Sequence, residues 1–418
     1  MLVMKFGGAS VKDAAGIRNV ADIILHHRTH PLLVVVSAMD KTTNHLETLA
    51  YLARDNQEAA AWEQFGRIRR FHLGQIEALF DVAAAEAVVA RVEPFFEEME
   101  KIVRGILLLE EFPARTYDRI VAYGELLSTV IVAAYLEAHG HDCRWLDARQ
   151  LVKTDATYQQ AGVIWSLTEQ NIRREVLPHM QAGRTFVVQG FIGSTNEGRT
   201  TTLGREGSDY TGAIFAHCLG AESLTVWKDV PGVLNGDPRI REHTVKLDKL
   251  SYEEAVEMTF YGASVIHPKT IKPIYTKGIP LLVKCFLDVE AEGTIISTQP
   301  NEQSIPAYIV KKGQAFLRIQ PKDFSFMEER LIQEISEQIY KTGVKLNLVQ
   351  NSAISLMLCV DDKPAVNNLI ALLLDRFEVA VFRDLQLHTI INFTIKDLKD
   401  TVDAMMVQQH ANKLYLVR

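Results

Sequence analysis

Leu2-Val3-Met4-Lys5-Phe6-Gly7-Gly8, with Leu32-Leu33-Val34-Val35-Val36 downstream of it, decides the architecture. The first stretch reads as a strand that delivers a lysine into a glycine turn. The second is a continuous apolar, mostly β-branched run, the pattern of a strand buried on both faces. Between them Ile17, Val20, Ala21, Ile24 and Leu25 share one helical face. Strand, helix and buried strand make a βαβ unit, which predicts an α/β fold with a mostly parallel central sheet and helices packed on it.

Working outward, residues 44–109 are helical in pattern almost throughout, so a helical subdomain is expected at about 44–115. Thr116–His139 reads as a further helix stopped by Gly140. Strands are predicted at Arg144–Leu146, Thr185–Gln189, Leu224–Trp227 and Ile279–Phe286. A hairpin loop is predicted at Asn196-Glu197-Gly198, a short helix at Asp209–Leu219, and a capping box from Ser251 and Glu254. Residues 298–306 hold two prolines and no apolar period, and read as a linker. Beyond it Ala315–Ile319, Phe326–Lys341, Val344–Val349, Ile354–Val360, Pro364–Arg376 and Val379–Phe382 follow the βαββαβ order of a ferredoxin-like unit. A strand (Leu387–Phe393), a helix (Leu398–Val407) and a strand (Lys413–Val417) are expected to form half of a second unit.

The 418 residues predict two or three domains, and 47% hydrophobic with 23% charged residues excludes a disordered or low-complexity chain. A net charge of -7 excludes a broad nucleic-acid-binding face. The four cysteines form no C-x-x-C pair, so neither a zinc signature nor a disulfide framework is read, and a reducing setting fits. No signal peptide is read at the start, and no stretch is taken to approach the ~20 uncharged apolar residues of a membrane span. The expectation is a soluble cytoplasmic protein that binds neither nucleic acid nor membrane.

Four motifs carry chemistry. Gly204-Arg205-Glu206-Gly207-Ser208-Asp209-Tyr210-Thr211 opens a predicted helix, where backbone amides suit an anion and the Arg205 fork suits a carboxylate. A plain helix cap by Ser208 or Asp209 explains the same residues. Lys5-Phe6-Gly7-Gly8-Ala9-Ser10 is a possible phosphate cradle, though it is neither a P-loop nor G-x-G-x-x-G. Trp227-Lys228-Asp229-Val230-Pro231-Gly232-Val233-Leu234, followed by Asp237-Pro238-Arg239, runs from a strand into a turn where nucleotides bind in parallel sheets, and equally where any chain turns. Gly124-Glu125 interrupts an apolar helix, at a cost of about 1 kcal/mol for the glycine, and points to a close approach.

In this order these motifs resemble the aspartate kinases of the amino acid kinase superfamily. The family's opening KFGGTSV is similar to Lys5–Val11, with Ala9 for threonine. Its VVVSA…TN matches Val34–Ala38 and Thr43-Asn44, and its GE helix matches Gly124-Glu125. Its GFIG…GRTTTLGRGGSDYTA matches Gly190–Gly193 and Gly198–Gly212, with Glu206 for glycine. Its W-[TS]-D-V-[DP]-G…DPR matches Trp227–Arg239. The resemblance covers about the first 300 residues and implies an amino-acid-kinase fold over 1–298. The rest resembles ACT regulatory domains over 307–418, one complete unit at about 313–384 and an abbreviated one at about 385–418.

The implied activity is transfer of the ATP γ-phosphoryl group to the side-chain carboxylate of L-aspartate, giving 4-phospho-L-aspartate, with ATP and Mg²⁺ required. A carboxylate is already ionised at pH 7, so no general base is needed, and positioning and charge neutralisation carry the catalysis. By the resemblance Lys5 and Asp209 are catalytic. Arg205 grips the substrate α-carboxylate, Glu125 its ammonium, and Thr43 and Ser208 add hydrogen bonds. Lys5, Gly7, Gly8, Lys228, Asp229, Leu234, Arg239 and Ser264 contact ATP. Magnesium would be held mainly by ATP oxygens and water, with no protein metal ligand assigned. The family's G-A-K is here Gly262-Ala263-Ser264, so Lys228, which stands for the usual threonine or serine, or Lys269 is expected to replace the missing lysine.

In the ACT region the effector turn corresponds to Asn347–Ser355, with Asn347, Asn351 and Ser352 as candidates. It carries no carboxylate for an amino-acid ammonium, so inhibition by lysine is not expected and the region is read as serving dimerisation in a homodimer. Two alternatives stay open: a kinase for another acidic amino acid, and a catalytically weak amino-acid sensor.

Overall fold

The computed structural model describes residues 1–418 except 182–183, 264–265 and 300–304. Two compact units emerge. The first comprises Met1–Val233, Asp248–Tyr252 and Ile266–Pro300; the second Leu234–Leu247, Glu253–Val265 and Asn301–Arg418.

In chain order the strands of the first unit are β1 (Leu2–Phe6), β2 (Leu32–Val36), β3 (Cys143–Leu146), β4 (Thr185–Gln189), β5 (Ile192–Ser194), β6 (Thr200–Thr202), β7 (Ser223–Lys228), β8 (Lys249–Ser251), β9 (Leu281–Cys285) and β10 (Thr294–Ser297). Eight of them form one sheet in the order β3-β4-β2-β1-β7-β9-β10-β8, parallel at every pairing except β9 with β10. β5 and β6 make the expected hairpin, turning at Gly198 with φ 77°. The apolar runs explain the centre of the sheet, since every residue of β2 is fully buried.

Helix Tyr123–Ala138 packs on β2, β3 and β4, and Gly207–Leu219 on β1, β2 and β7. The helical subdomain consists of Thr42–Arg54, Glu58–Leu79 and Val82–Leu109. Ala114–Ala138 is long and apolar enough to cross a membrane by length and composition, although it carries charged side chains. Its apolar stretch is 94% buried, because it is the core helix of this unit and is apolar on all sides.

In the second unit β11 (Ala307–Pro321), helix Glu329–Thr342, β12 (Leu346–Asn351), β13 (Leu356–Asp361), helix Ala365–Leu373 and β14 (Phe377–Ile391) give the βαββαβ order. With β15 (Met406–His410) and β16 (Lys413–Val417) the antiparallel sheet runs β12-β13-β11-β14-β16-β15. The first four of these strands and the two helices have ferredoxin-like topology, closed over Leu317, Ile319, Ile335, Leu358, Val366 and Phe377.

Two expectations fail here. Val379–Phe382 and Leu387–Phe393 are not separate strands but parts of the single strand β14, paired with an equally long β11 across a register shift beside Gly313. The helix expected at Leu398–Val407 is a 3₁₀ turn, Asp397–Thr401, followed by β15. Its apolar positions explain why. Val402 is 83% exposed and has no layer to pack on, whereas Met406 is buried by entering the sheet.

Candidate active site

β1, β2 and β7 are neighbours, with Lys5 level with Val35 and Val226, so their carboxyl ends open at one place. A cavity of about 790 Å³ lies there, within the first unit. Parallel sheets bind their ligands at such strand ends.

Lys5 and Asp209 meet at its floor. The Lys5 Nζ lies 2.5 Å from Asp209 Oδ1, both groups almost fully buried. Lys228 Nζ approaches the other oxygen, Oδ2, at 3.3 Å. Burial opposes the charged form of Asp209, but the Lys5 and Lys228 ammoniums overcome it and hold its carboxyl below its ordinary value. Two lysines on one carboxylate leave a net positive floor, suited to a group that gains negative charge.

The local sequence explains how Asp209 and Ser208 come to face inward. Neither caps the helix, as one reading of the motif had it. The helix begins at Gly207, and its cap is Glu206, whose side chain makes no capping hydrogen bond. Glu206 has φ 54°, a left-handed conformation that favours glycine, the residue the resemblance places there. Glu206→Gly is expected to stabilise the protein by up to about 1 kcal/mol, removing backbone strain at some cost in unfolded-state entropy. A lowered Tm in thermal denaturation would refute that account.

Gly8 is required for close approach. A Cβ there would lie 2.8 Å from the backbone oxygens of both Ala38 and Asp40. Gly124 plays the same part on the core helix, where a Cβ would sit 2.8 Å from the Ala38 methyl. It thereby lets Glu125 reach the cavity. Glu125 is 3% exposed and its Oε2 has no hydrogen-bond partner among the described residues. Burial pushes its carboxyl up to about 8, against partial relief from hydrogen bonds and Lys5.

Of the predicted residues, Lys5, Gly8, Thr43, Glu125, Arg205, Ser208, Asp209 and Lys228 line this one cavity. Arg205 is exposed and makes no ion pair among the described residues. Gly7 lies beneath, with a Cβ 3.6 Å from Lys5 Nζ, and is not among the lining residues. Asp229 is exposed and also outside the lining, as is Lys269. Leu234 and Arg239 belong to the second unit, where the 83% exposed Arg239 pairs with Asp237 at 2.7 Å. Ser264 lies outside the described residues. In the second unit Asn347 is internal: its Nδ2 donates to Gln314 Oε1 at 2.6 Å and Asp361 Oδ1 at 2.8 Å, and its Oδ1 accepts from Lys311 at 2.9 Å. Asn351 and Ser352 are exposed, with Ser352 bonded to Ser355.

Sequence reasoning missed several wall residues. Tyr117 donates to Glu47 at 2.8 Å, and Asp40, Gln159 and Thr202 complete the rim. It also missed the group that fixes them. Fully buried Asp118 accepts from Gln159 N through both oxygens at 3.0 Å, and from Thr202 N and Oγ1 at 2.8 and 3.0 Å. Asp118 lies not in the apolar core helix but in the short, polar helix Ala114–Val121 before it, where no hydrophobic pattern marks it.

Among the described residues no cluster of three or more histidine, cysteine or acidic side chains could hold a metal ion, and both Asp209 oxygens are occupied by lysines.

Residues 1–285 match the model of the amino acid kinase family. The chain is 31% identical to the lysine-sensitive aspartokinase 3 of Escherichia coli, over 86% of this chain and 78% of that protein. It is also 31% identical to the chloroplastic aspartokinase 1 of Arabidopsis thaliana, of which it spans 63%. Two crystal structures of E. coli aspartokinase III superpose over the whole chain and 96% of theirs at 27% identity. The complex with aspartate and ADP gives a TM-score of 0.84, and the complex with lysine and aspartate 0.81.

Proposed function

The chain belongs to the amino acid kinase family and, within it, to the aspartokinases, and from that premise we propose how its cavity transfers the ATP γ-phosphoryl group to the side-chain carboxylate of L-aspartate. One observation carries the reading: two lysines converge on buried Asp209 in a cavity that also holds Arg205, Glu125, Ser208 and Thr43.

A substrate carboxylate oxygen attacks the γ-phosphorus, the bond to the β-phosphate oxygen breaks, and 4-phospho-L-aspartate and ADP leave. No proton moves, so the site needs no base. Lys5 neutralises charge on the transferring group, and Asp209 orients Lys5 and Lys228 by pairing with both. Arg205 takes the α-carboxylate through its planar fork, and Glu125 the ammonium, with Thr43 and Ser208 as hydrogen-bond partners. An N-acylated substrate has no ammonium for Glu125, which favours a free amino acid. Mg²⁺, held mainly by ATP oxygens and water, would neutralise charge on the phosphates.

Gly7 and Gly8 would offer backbone donors to phosphate, and Asp229, Leu234, Arg239 and Ser264 remain proposed nucleotide contacts. Lys228 takes over the missing lysine's role: Lys228→Thr is expected to raise the ATP KM about tenfold, and an unchanged KM would remove it from the site.

The domain reading is a catalytic region over 1–298 and an ACT-type region over 307–418 that pairs two chains in a cytoplasmic homodimer. Lysine inhibition is not expected, because Asn347 is spent on an internal network and the exposed Asn351 and Ser352 bring no negative charge. A hydroxylamine trap with ATP and Mg²⁺ tests the whole. Hydroxamate from L-aspartate but not from L-glutamate or N-acetyl-L-glutamate is expected, unaffected by lysine. No acyl phosphate from any of the three would favour the sensor alternative.

A further inference from the structure

A second cavity of the first unit, about 610 Å³, lies beside the helical subdomain and takes no part in the chemistry above. Five cations border it: Lys101, Arg115, Arg119, Arg149 and Arg199. Only two of them are neutralised. Arg119 pairs with Glu98, and Arg149 binds Asp147 through Nη2 at 2.7 Å and Nε at 2.9 Å. Lys101, Arg115 and Arg199 make no ion pair among the described residues, and Glu111 is the one other carboxylate of the lining. Five cations against the two carboxylates Glu98 and Glu111 leave this concave wall net positive on a chain of net charge -7, and such an excess focuses its field on whatever enters.

Beside Thr116, Thr200 and the glycines, the lining has an apolar side. Ile102, Ile106 and Leu109 come from the last turns of helix Val82–Leu109, and Leu109 is 67% exposed. A ligand that satisfies both walls carries several negative charges at one end and a hydrocarbon or ring surface at the other.

The two cavities share their framework. Thr200 of β6 borders this one and Thr202 the catalytic one. Helix Ala114–Val121 gives Thr116 and Arg119 to this cavity and Tyr117 to the other, and its Asp118 clamps Thr202. Drawing Arg115, Arg119 and Arg199 onto one anion would thus act on the helix and strand that hold Gln159 and Thr202 at the catalytic rim.

We propose that this cationic cleft is a binding site for a multivalent organic anion, a phosphate ester or a polycarboxylate, separate from the catalytic cavity and coupled to it through helix Ala114–Val121 and β6. Guanidinium forks recognise both kinds of anion in the same way, so the test carries an arm for each.

The experiment is calorimetric titration of the full-length protein with inorganic pyrophosphate and, separately, with citrate. It is repeated on Arg115→Ala/Arg199→Ala, whose positions are exposed and lie outside the catalytic machinery. At least one probe is expected to bind the wild type with a Kd of about 1 mM or tighter, at a site that the double variant loses or weakens about a hundredfold, tenfold per arginine. The probe that binds identifies the anion class. Its addition is also expected to shift the aspartate KM of the wild type and not that of the variant, whose KM without probe is unchanged. Binding identical in both proteins, binding by neither probe at 10-fold higher concentration than this Kd, or a KM shift that persists in the variant would each overturn the proposal.

Discussion

Lys5→Met is expected to lower kcat for aspartyl phosphate formation by about 10²–10³-fold, the range found when a preorganised group that stabilises transition-state charge is removed. The KM for ATP should rise less, because the lysine is asked to do most when charge develops on the transferring group. Loss of folding must be separated from loss of catalysis. Without Lys5, Asp209 keeps only Lys228 at 3.3 Å and remains buried, which is expected to cost a few kcal/mol. Lys5→Met/Asp209→Asn removes both members of the closest pair, so it should regain most of that stability. It should regain none of the activity. A single variant with kcat within about threefold of wild type, or a double variant that recovers activity together with Tm, would show that the pair is only structural.

The part of the fold legible in the sequence is the part whose burial is written locally. β2 is apolar at every position because both its faces are covered, and the core helix is apolar on all sides for the same reason. β8 and β10 were not foreseen. They have three and four residues, and they exist because Lys249–Ser251 and Thr294–Ser297 pair with each other across distant sequence. Of the long strands, β14 was foreseen in two pieces and β11 only over Ala315–Ile319, since the bulge beside Gly313 resets the alternation of inward residues halfway along. Helical spacing at Leu398–Val407 misled for want of a partner layer. The site divides along the same line. Lys5, Glu125, Arg205 and Asp209 stand in contiguous motifs with glycine close by, and could be read. Glu47, Tyr117 and Gln159 join the cavity only through packing of the helical subdomain and the clamp of Asp118. No local pattern announces them.

Glu125 makes the sharpest test of substrate recognition, because its protonation must change when an ammonium arrives. In the free protein burial lifts its carboxyl from 4.5 to about 8, so at pH 7 the acid form prevails by about tenfold. An aspartate ammonium placed beside it favours the carboxylate, so binding releases a proton. The aspartate KM should therefore fall as pH rises from 6.5 toward 8, approaching tenfold per unit at the steepest, and level off above 8 until the substrate ammonium itself loses its proton. Glu125→Gln should raise the KM by about 10–100-fold through loss of a charge-assisted contact and flatten this limb. The linkage to stability has the opposite sign. With the folded pKa above the unfolded one, the native state holds the extra proton between pH 4.5 and 8. Its stabilising contribution is full below 4.5 and is lost as pH rises through 8. Ligand-free Glu125→Gln should accordingly gain Tm over wild type at pH 8.5 and little or nothing at pH 5, while saturating aspartate erases the gain by giving the wild-type carboxylate its partner. A wild-type KM that is flat from pH 6.5 to 8.5, with Tm of the variant tracking wild type at both pH values, would remove Glu125 from ammonium recognition.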